Sequence, residues 1–149
     1  MPPPILLYDG VCGLCNRLVQ FVLRRDQEKI FRFASLQSAL ARRILARHGV
    51  NAGDLDAVYV VTDYHASREE YPKKDQAKER LLARSDAAIL ILQQIGGFWR
   101  VTALISRLIP RPVRDCGYGL IARNRYRIWG RYGTCPPPAE ETRGRFLDV

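Results

Sequence analysis

The chain has 149 residues, of which 47% are hydrophobic, and a formal net charge of +9. This length suits one domain with a hydrophobic core and leaves little room for a second. The longest largely apolar stretch, 87–99, is interrupted by two glutamines and two glycines, and it is shorter than the roughly 20 residues that cross a bilayer, which excludes a transmembrane helix there. No basic region or cleavage site of a secretion signal follows Met1, so we expect a cytoplasmic protein.

The first fifty residues predict two successive strand–helix pairs. Short apolar or alternating runs mark the strands, and apolar residues that recur at helical spacing mark the helices. Ser35 or Ser38 caps the second helix. The predicted order is a strand at 5–8, a helix from 12 to about 26, a strand at 30–34 and a helix that stops at 49.

The middle of the chain predicts the rest of a sheet. Residues 57–62 are β-branched and apolar throughout, which is typical of a central strand covered on both faces. The polar stretch 64–78 predicts an extended loop, and residues 80–83 predict a short pairing strand. Ser85 is the expected cap of a helix over 86–95.

The last third predicts a helical extension and a tail. One helix runs from Trp99 to before Pro110, and Pro112 opens another that reaches about residue 130. The prolines after Cys135 predict an extended, loosely held terminus. The expected organisation is a single α/β domain over 1–135, with a core at 1–97, a basic helical extension at 98–135 and an extended tail at 136–149.

Two cysteines, Cys12 and Cys15, lie where the first predicted strand gives way to a helix. At this spacing the sulfurs share one helix face and can form a small-ring disulfide. The amide groups of a first helical turn lack partners and carry partial positive charge, which favours a thiolate. Cys12, nearer the helix end, is therefore the predicted attacking sulfur. Cys15, expected to be more buried and less acidic, is the predicted resolving sulfur.

Two neighbours of the dithiol admit more than one interpretation. Asp9 either takes the proton from Cys15 as that thiol attacks, or accepts backbone hydrogen bonds in the turn. A negative charge at Asp9 would also oppose thiolate formation at Cys12. Gly10 supplies either a positive φ or a close backbone approach.

Other uses of the dithiol are an inert pair of small hydrophobic residues or half of a zinc site. A zinc site needs a second ligand pair, whereas Cys116 and Cys135 lie far along the chain and the histidines are His48 and His65. A dehalogenase-type phosphatase is excluded because it needs an aspartate where Leu7 stands. Redox use is favoured, and it requires no metal and no organic cofactor. Cys116 is expected to pack in a helix face, and Cys135 is a candidate third thiol.

The segment 98–135 holds eight arginines and one acidic residue, so it should face something acidic or solvent. Arg123, Arg125 and Arg127, interleaved with aromatic residues, are candidate partner-binding residues, and their pattern is compatible with nucleic acid. The amphipathic stretch 98–109 is compatible with a membrane surface. The favoured interpretation is that arginine stems cover apolar surface while their charged ends meet carboxylates or solvent.

Three sequence blocks together resemble the DCC family of thiol-disulfide oxidoreductases over nearly the whole chain. They are Tyr8-Asp9-Gly10-x-Cys12-x-x-Cys15, the arginine-rich run 122–127 followed by a glycine, and Cys-Pro-Pro leading to Arg-Phe-Leu at 145–147. The resemblance implies that Asp9, Cys12 and Cys15 are the residues for which the family is named. It also implies a thioredoxin-like central sheet flanked by helices, with a helical C-terminal extension.

Two features depart from the expected pattern. Thioredoxin relatives place a cis-proline just before the third strand, but residues 51–56 contain no proline, and the loop at 64–78 is longer than expected for the family. The leading hypothesis is a thiol-disulfide oxidoreductase that exchanges disulfides with a protein or small thiol. The alternative is a non-catalytic interaction module whose basic C-terminal helices bind an acidic partner or nucleic acid.

Overall fold

The computed structural model describes residues 3–50, 58–62, 80–130 and 140–147. Strands and helices alternate through the first half, and three helices then follow one another. In chain order the elements are β1 (Ile5–Tyr8), α1 (Gly13–Arg25), β2 (Arg32–Ser35), α2 (Ala39–Arg47), β3 (Tyr59–Thr62), β4 (Arg80–Ala83), α3 (Arg84–Ile95), α4 (Phe98–Leu108), α5 (Arg111–Trp129) and a 3-10 helix (Glu140–Arg145).

The four strands form one mixed sheet in the order β2-β1-β3-β4. β1 runs parallel to β2, to which α1 connects it, and antiparallel to β3, which pairs antiparallel with β4. This arrangement, with helices packed around it, is the predicted thioredoxin-like α/β fold. Because β1 is a central strand, the turn that carries the dithiol lies near the middle of one edge of the sheet.

Alternation along β1 separates two hydrophobic clusters. Successive side chains of a strand point to opposite faces, so Leu6 and Tyr8 pack with residues of α1 and α3. Ile5 and Leu7 pack with residues of α2 on the other face. Because both faces of the sheet are covered, β1 and most of β3 are buried, as expected for central strands.

The two predicted serine caps have different outcomes. The backbone N–H of Ala41 donates to Ser38 Oγ at 3.2 Å, so Ser38 caps α2. The predicted cap at Ser85 is wrong. Helix α3 begins at Arg84 with no side-chain cap, and the Ser85 hydroxyl instead donates to Asp115 Oδ1 at 2.5 Å.

The sequence predicts an extended, loosely held C-terminal tail, but the described part of the tail packs against the core. Phe146 is buried and stacks on Phe33, with ring centroids 5.2 Å apart. The N–H of Leu147 donates to the Phe33 carbonyl at 2.9 Å, which extends the sheet by one bridge beside β2. Arg145 pairs with buried Asp26. An aromatic ring and an ion pair therefore fix the tail to the core.

Several sequence-based expectations lie outside the described residues. They concern the segment 51–56, the loop 64–78, His65 and Cys135. Among the residues that the structure does describe, no helix is both long enough and apolar enough to span a bilayer.

Candidate active site

The dithiol lies on the turn that joins β1 to α1. Cys12 is the N-cap of α1, with extended backbone angles, and its Sγ accepts the backbone N–H of Cys15 at 3.5 Å. The N–H of Cys12 donates to the Asp9 carbonyl at 3.2 Å, which closes the turn. Both cysteines are free thiols. The sulfur nearest the helix end therefore meets an amide of the first helical turn, as the sequence predicted.

Both sulfurs are enclosed. Both residues are buried, with exposed fractions of 0% for Cys12 and 6% for Cys15. The C-terminal end of α5 lies against the start of α1, beside the dithiol. The N–H of Gly13 donates to the Gly130 carbonyl at 3.1 Å, so the end of one helix lies directly on the start of the other.

The two thiols have opposite pKa shifts. The pKa of Cys12 falls from 9.0 to about 6, mainly because the Cys15 thiol donates a hydrogen bond to its sulfur. Burial opposes this shift, while the amides of Cys15 and Leu14 and the charge of Arg125 favour it. The pKa of Cys15 is raised because its proton is held by Cys12, because it is buried and because ionised Cys12 repels a second charge. The pair therefore loses its first proton more readily than a free cysteine does, and the resulting charge is favoured on Cys12.

Asp9 is completely buried beside the dithiol, and it accepts hydrogen bonds from the N-terminal part of the chain and from α5. Its carboxylate accepts from Val11 N–H at 3.2 Å, as the turn interpretation predicts, and from Gln37 Nε2 at 2.8 Å. From α5, Arg125 Nη2 lies 3.3 Å from Asp9 Oδ2, and the Tyr126 hydroxyl donates to the same oxygen. Asp9 thus provides a second bond, besides that between Gly13 and Gly130, from the C-terminal extension to the region of the dithiol.

The prediction that Arg123, Arg125 and Arg127 together bind a partner is wrong for Arg125. Arg123 and Arg127 are exposed, but Arg125 has an exposed fraction of 3% and its guanidinium is directed at Asp9. It is therefore not a surface residue for binding a partner. The other buried residue of α5 is Ala122, three residues earlier on the same face of the helix. The favoured interpretation, that arginine ends meet carboxylates, fits Arg125.

Two polar side chains that the sequence did not single out also support the turn. Asn16 Nδ2 donates to the carbonyls of Gly10 and Cys12, at 2.8 and 2.9 Å. Gln37 Oε1 accepts the Gly10 N–H at 3.1 Å. Gly10 does not have a positive φ, so the first of its two predicted roles is wrong. Its backbone does make close contacts, through these hydrogen bonds with Gln37 and Asn16. Tyr8, also part of the motif, is buried and its ring contacts Phe146 edge-on.

Gly13 has a role that its position between two cysteines did not reveal. A Cβ at this residue would lie 2.1 Å from the Trp129 carbonyl oxygen, a distance that no real Cβ contact shows. Gly130, which follows α5, has φ of 81°, in the left-handed region that favours glycine. The close approach of α5 to the dithiol turn thus depends on glycine at two places.

The remaining candidates lie away from this site. Cys116 is exposed on α5, so the expectation that it packs in the helix face is wrong. His48 is the C-cap of α2. Within the described ranges, no group of three or more His, Cys, Asp and Glu side chains is arranged to hold a metal ion.

Comparison with known proteins gives a consistent family assignment. The family model of DCC1-like thiol-disulfide oxidoreductases matches residues 6–131. The uncharacterized protein YuxK of Bacillus subtilis is 33% identical over 147 residues, which cover 99% of this chain and 96% of YuxK. A chloroplastic DCC family protein of Arabidopsis thaliana is 33% identical over 132 residues, 89% of this chain and 68% of the relative. No solved structure matches the chain.

The matched range begins within β1 and reaches past the end of α5, so it includes the four residues described above that bond to the Asp9 carboxylate. The chain therefore belongs to the DCC1-like thiol-disulfide oxidoreductase family.

Proposed function

We propose that this protein exchanges disulfides through Cys12 as the attacking thiolate and Cys15 as the resolving thiol. The observation that carries the proposal is the position of Cys12 Sγ, which accepts the Cys15 N–H at the first turn of α1 and has a pKa lowered to about 6. A sulfur with that pKa is largely ionised at neutral pH, and the thiolate is the nucleophile in exchange.

The reaction has two steps. Cys12 thiolate attacks one sulfur of a partner disulfide, which forms a mixed disulfide and expels the other partner sulfur as a thiolate. Cys15 then loses its proton and attacks Cys12 Sγ, which forms the internal disulfide and releases the first partner sulfur. The partner gains two electrons and this protein loses them, and the reverse sequence oxidises a partner dithiol.

The second step needs an acceptor for the Cys15 proton, because the pKa of that thiol is raised while Cys12 is ionised. We assign this role to Asp9, whose charge acts on Cys15 and whose carboxylate is completely buried beside it. Formation of the mixed disulfide removes the negative charge from Cys12 and the hydrogen bond that held the Cys15 proton. Both changes make Cys15 easier to deprotonate at the moment when it must attack.

Arg125 and Tyr126 position the carboxylate for this transfer. Arg125 supplies the positive charge that offsets buried Asp9 and also favours ionised Cys12. The Tyr126 hydroxyl bonds both to Asp9 and, at 3.1 Å, to Arg125 Nη2. These residues act through Asp9, so they are positioning residues.

The enclosure of Cys12 bears on the partner. A sulfur with an exposed fraction of 0% cannot meet a disulfide on a folded protein without an opening of the site. A small disulfide needs a smaller opening than a protein does. We therefore expect a small aliphatic disulfide to oxidise the pair faster than a disulfide-containing folded protein of similar reduction potential.

The proposal is tested by mass-tag alkylation before and after reduction. In the Cys116→Ser background, the oxidised protein should lose two hydrogens reversibly, and peptide mapping should join Cys12 to Cys15. Cys12→Ser should abolish this change and all exchange activity. Cys116→Ser alone should have no effect, because Cys116 is exposed on α5 away from the pair. A pair that stays reduced at every potential would contradict the proposal.

A further inference from the structure

Helix α4 presents its apolar side to solvent. Helix α4 packs against α3, and Ala103 is the one residue of α4 that is completely enclosed. Large apolar residues at helical spacing form a stripe on the opposite side, and each is more than half exposed. The stripe consists of Phe98, Val101, Leu104, Ile105 and Leu108.

This stripe is unusual because apolar side chains of an amphipathic helix normally face the core. At 1.5 Å per residue, the 11 residues of α4 make the stripe about 16 Å long. A contiguous apolar surface of this kind on a folded domain marks a contact with another apolar phase or molecule.

A positively charged groove of about 1020 Å³ borders the N-terminal end of the stripe. Phe98 and Trp99 line it together with four exposed arginines: Arg17, Arg24, Arg25 and Arg100. The Arg25 guanidinium lies 5.2 Å from the Trp99 ring centroid. The acidic residues of the groove are Glu28 and Asp26, and Asp26 is already paired with Arg145.

The charge around the stripe distinguishes the possible occupants. A second copy of the chain seated on α4 would bring its own arginine groove near the first, and like charges would oppose the contact. An anionic membrane surface has the complementary charge, and its acyl boundary accepts apolar side chains. We propose that α4 lies in the surface of an anionic membrane, with its stripe at the acyl boundary and the four arginines among the lipid headgroups.

This proposal does not depend on the dithiol chemistry, because α4 and the groove contain none of the active-site residues. It places the protein at a lipid surface, where α4 lies parallel to the membrane plane. The expected binding is reversible and weakens as salt rises, since part of it is electrostatic.

The test is co-sedimentation of the full chain with vesicles of phosphatidylcholine containing phosphatidylglycerol, compared with phosphatidylcholine alone. We expect binding to the anionic vesicles and much weaker binding to the neutral ones. The double variant Leu104→Ser/Leu108→Ser should weaken binding by roughly tenfold or more, because two exposed leucines no longer enter the acyl boundary.

The matched control is Leu120→Ser/Ile128→Ser, which removes two exposed apolar side chains from α5. It should bind like the unmodified protein. Arg24→Gln/Arg100→Gln should weaken binding and reduce its dependence on salt. The proposal would be overturned if Leu104→Ser/Leu108→Ser bound as well as the control Leu120→Ser/Ile128→Ser. It would also be overturned if the unmodified protein did not bind to anionic vesicles. A dimer, seen by sedimentation, that Leu104→Ser/Leu108→Ser dissociates would overturn it as well.

Discussion

Helices α4 and α5 are neighbours in the chain, and both combine arginines with large apolar residues, but α5 buries a charged side chain whereas α4 buries only an alanine. α5 directs Arg125 and the Tyr126 hydroxyl at the active-site carboxylate. α4 buries Ala103 and leaves Leu104 and Leu108 in solvent. The comparison shows that composition does not identify which side of such a helix faces the core. One helix bonds to Asp9 in the proposed active site, and the other leaves an apolar surface exposed.

The largest expected effect comes from breaking the contact of α5 with Asp9. Arg125→Met removes the ion-pair partner of a completely buried carboxylate, and such a loss typically lowers the free energy of unfolding by about 3–5 kcal/mol. Arg123→Met, two residues earlier and exposed, should change it by about 0.5 kcal/mol at most. Urea denaturation of the reduced proteins measures both. Equal effects of the two substitutions would show that Arg125 has no special part in the fold.

The close approach of α5 to α1 can be broken without changing any charge. Gly13→Ala places a Cβ against the Trp129 carbonyl, and the helix end must shift, at a cost of about 2–3 kcal/mol. The control is Gly117→Ala, a helical glycine with open space around it, which should stabilise the protein by about 0.5–1 kcal/mol. Thermal or urea unfolding of both variants is sufficient. Tolerance of alanine at Gly13 would mean that α5 does not lie against the dithiol turn.

A smaller effect is expected from removing the Tyr126 hydroxyl, which tests its hydrogen bond to Asp9. Tyr126→Phe removes one hydroxyl that donates to Asp9, and it should lower the free energy of unfolding by about 1.5–2 kcal/mol. Because Tyr126 acts through Asp9, the rate of internal disulfide formation from a mixed disulfide should also fall, while the first attack by Cys12 changes little. Rapid-quench measurement separates the two steps. A variant that slows only the first attack would contradict the positioning role.

The smallest effect is expected on α4. Leu104→Ser and Leu108→Ser replace side chains that are already in solvent, so each should change the free energy of unfolding by no more than about 0.5 kcal/mol. Loss of more than about 1.5 kcal/mol in urea denaturation would show that the stripe is part of the core. The two helices are therefore distinguished by the free energy of unfolding, which should fall strongly in Arg125→Met and hardly at all in the α4 variants.

The sequence predicted the elements well because they depend on local patterns. Apolar patterns, together with glycine and proline positions, located the four described strands and five described α-helices, and Cys12 was correctly placed at a helix start. Ser85 was misassigned because a serine beside a helix start can bond either to the helix or to a neighbouring element. Here it bonds to Asp115 on α5.

Contacts between distant residues could not be predicted in the same way. Arg125 lies 116 residues from Asp9 in the chain, and only the packing of α5 against α1 brings them together. The same applies to Arg145 and Phe146, whose partners Asp26 and Phe33 belong to the first third of the chain. The resemblance to the DCC family contained these residues as separate blocks, but nothing in the blocks indicated that they meet.

The central claim is that Cys12 is ionised at neutral pH, and the pH dependence of its alkylation tests this most directly. The rate of iodoacetamide modification at Cys12, followed by peptide mass spectrometry, should rise with pH to a midpoint near 6 and then level off, since thiolate is lost as pH falls through the lowered pKa. Cys15→Ala removes the hydrogen bond that contributes most to this shift and should move the midpoint upward. A rate that keeps rising through pH 9 in the unmodified protein would contradict the account.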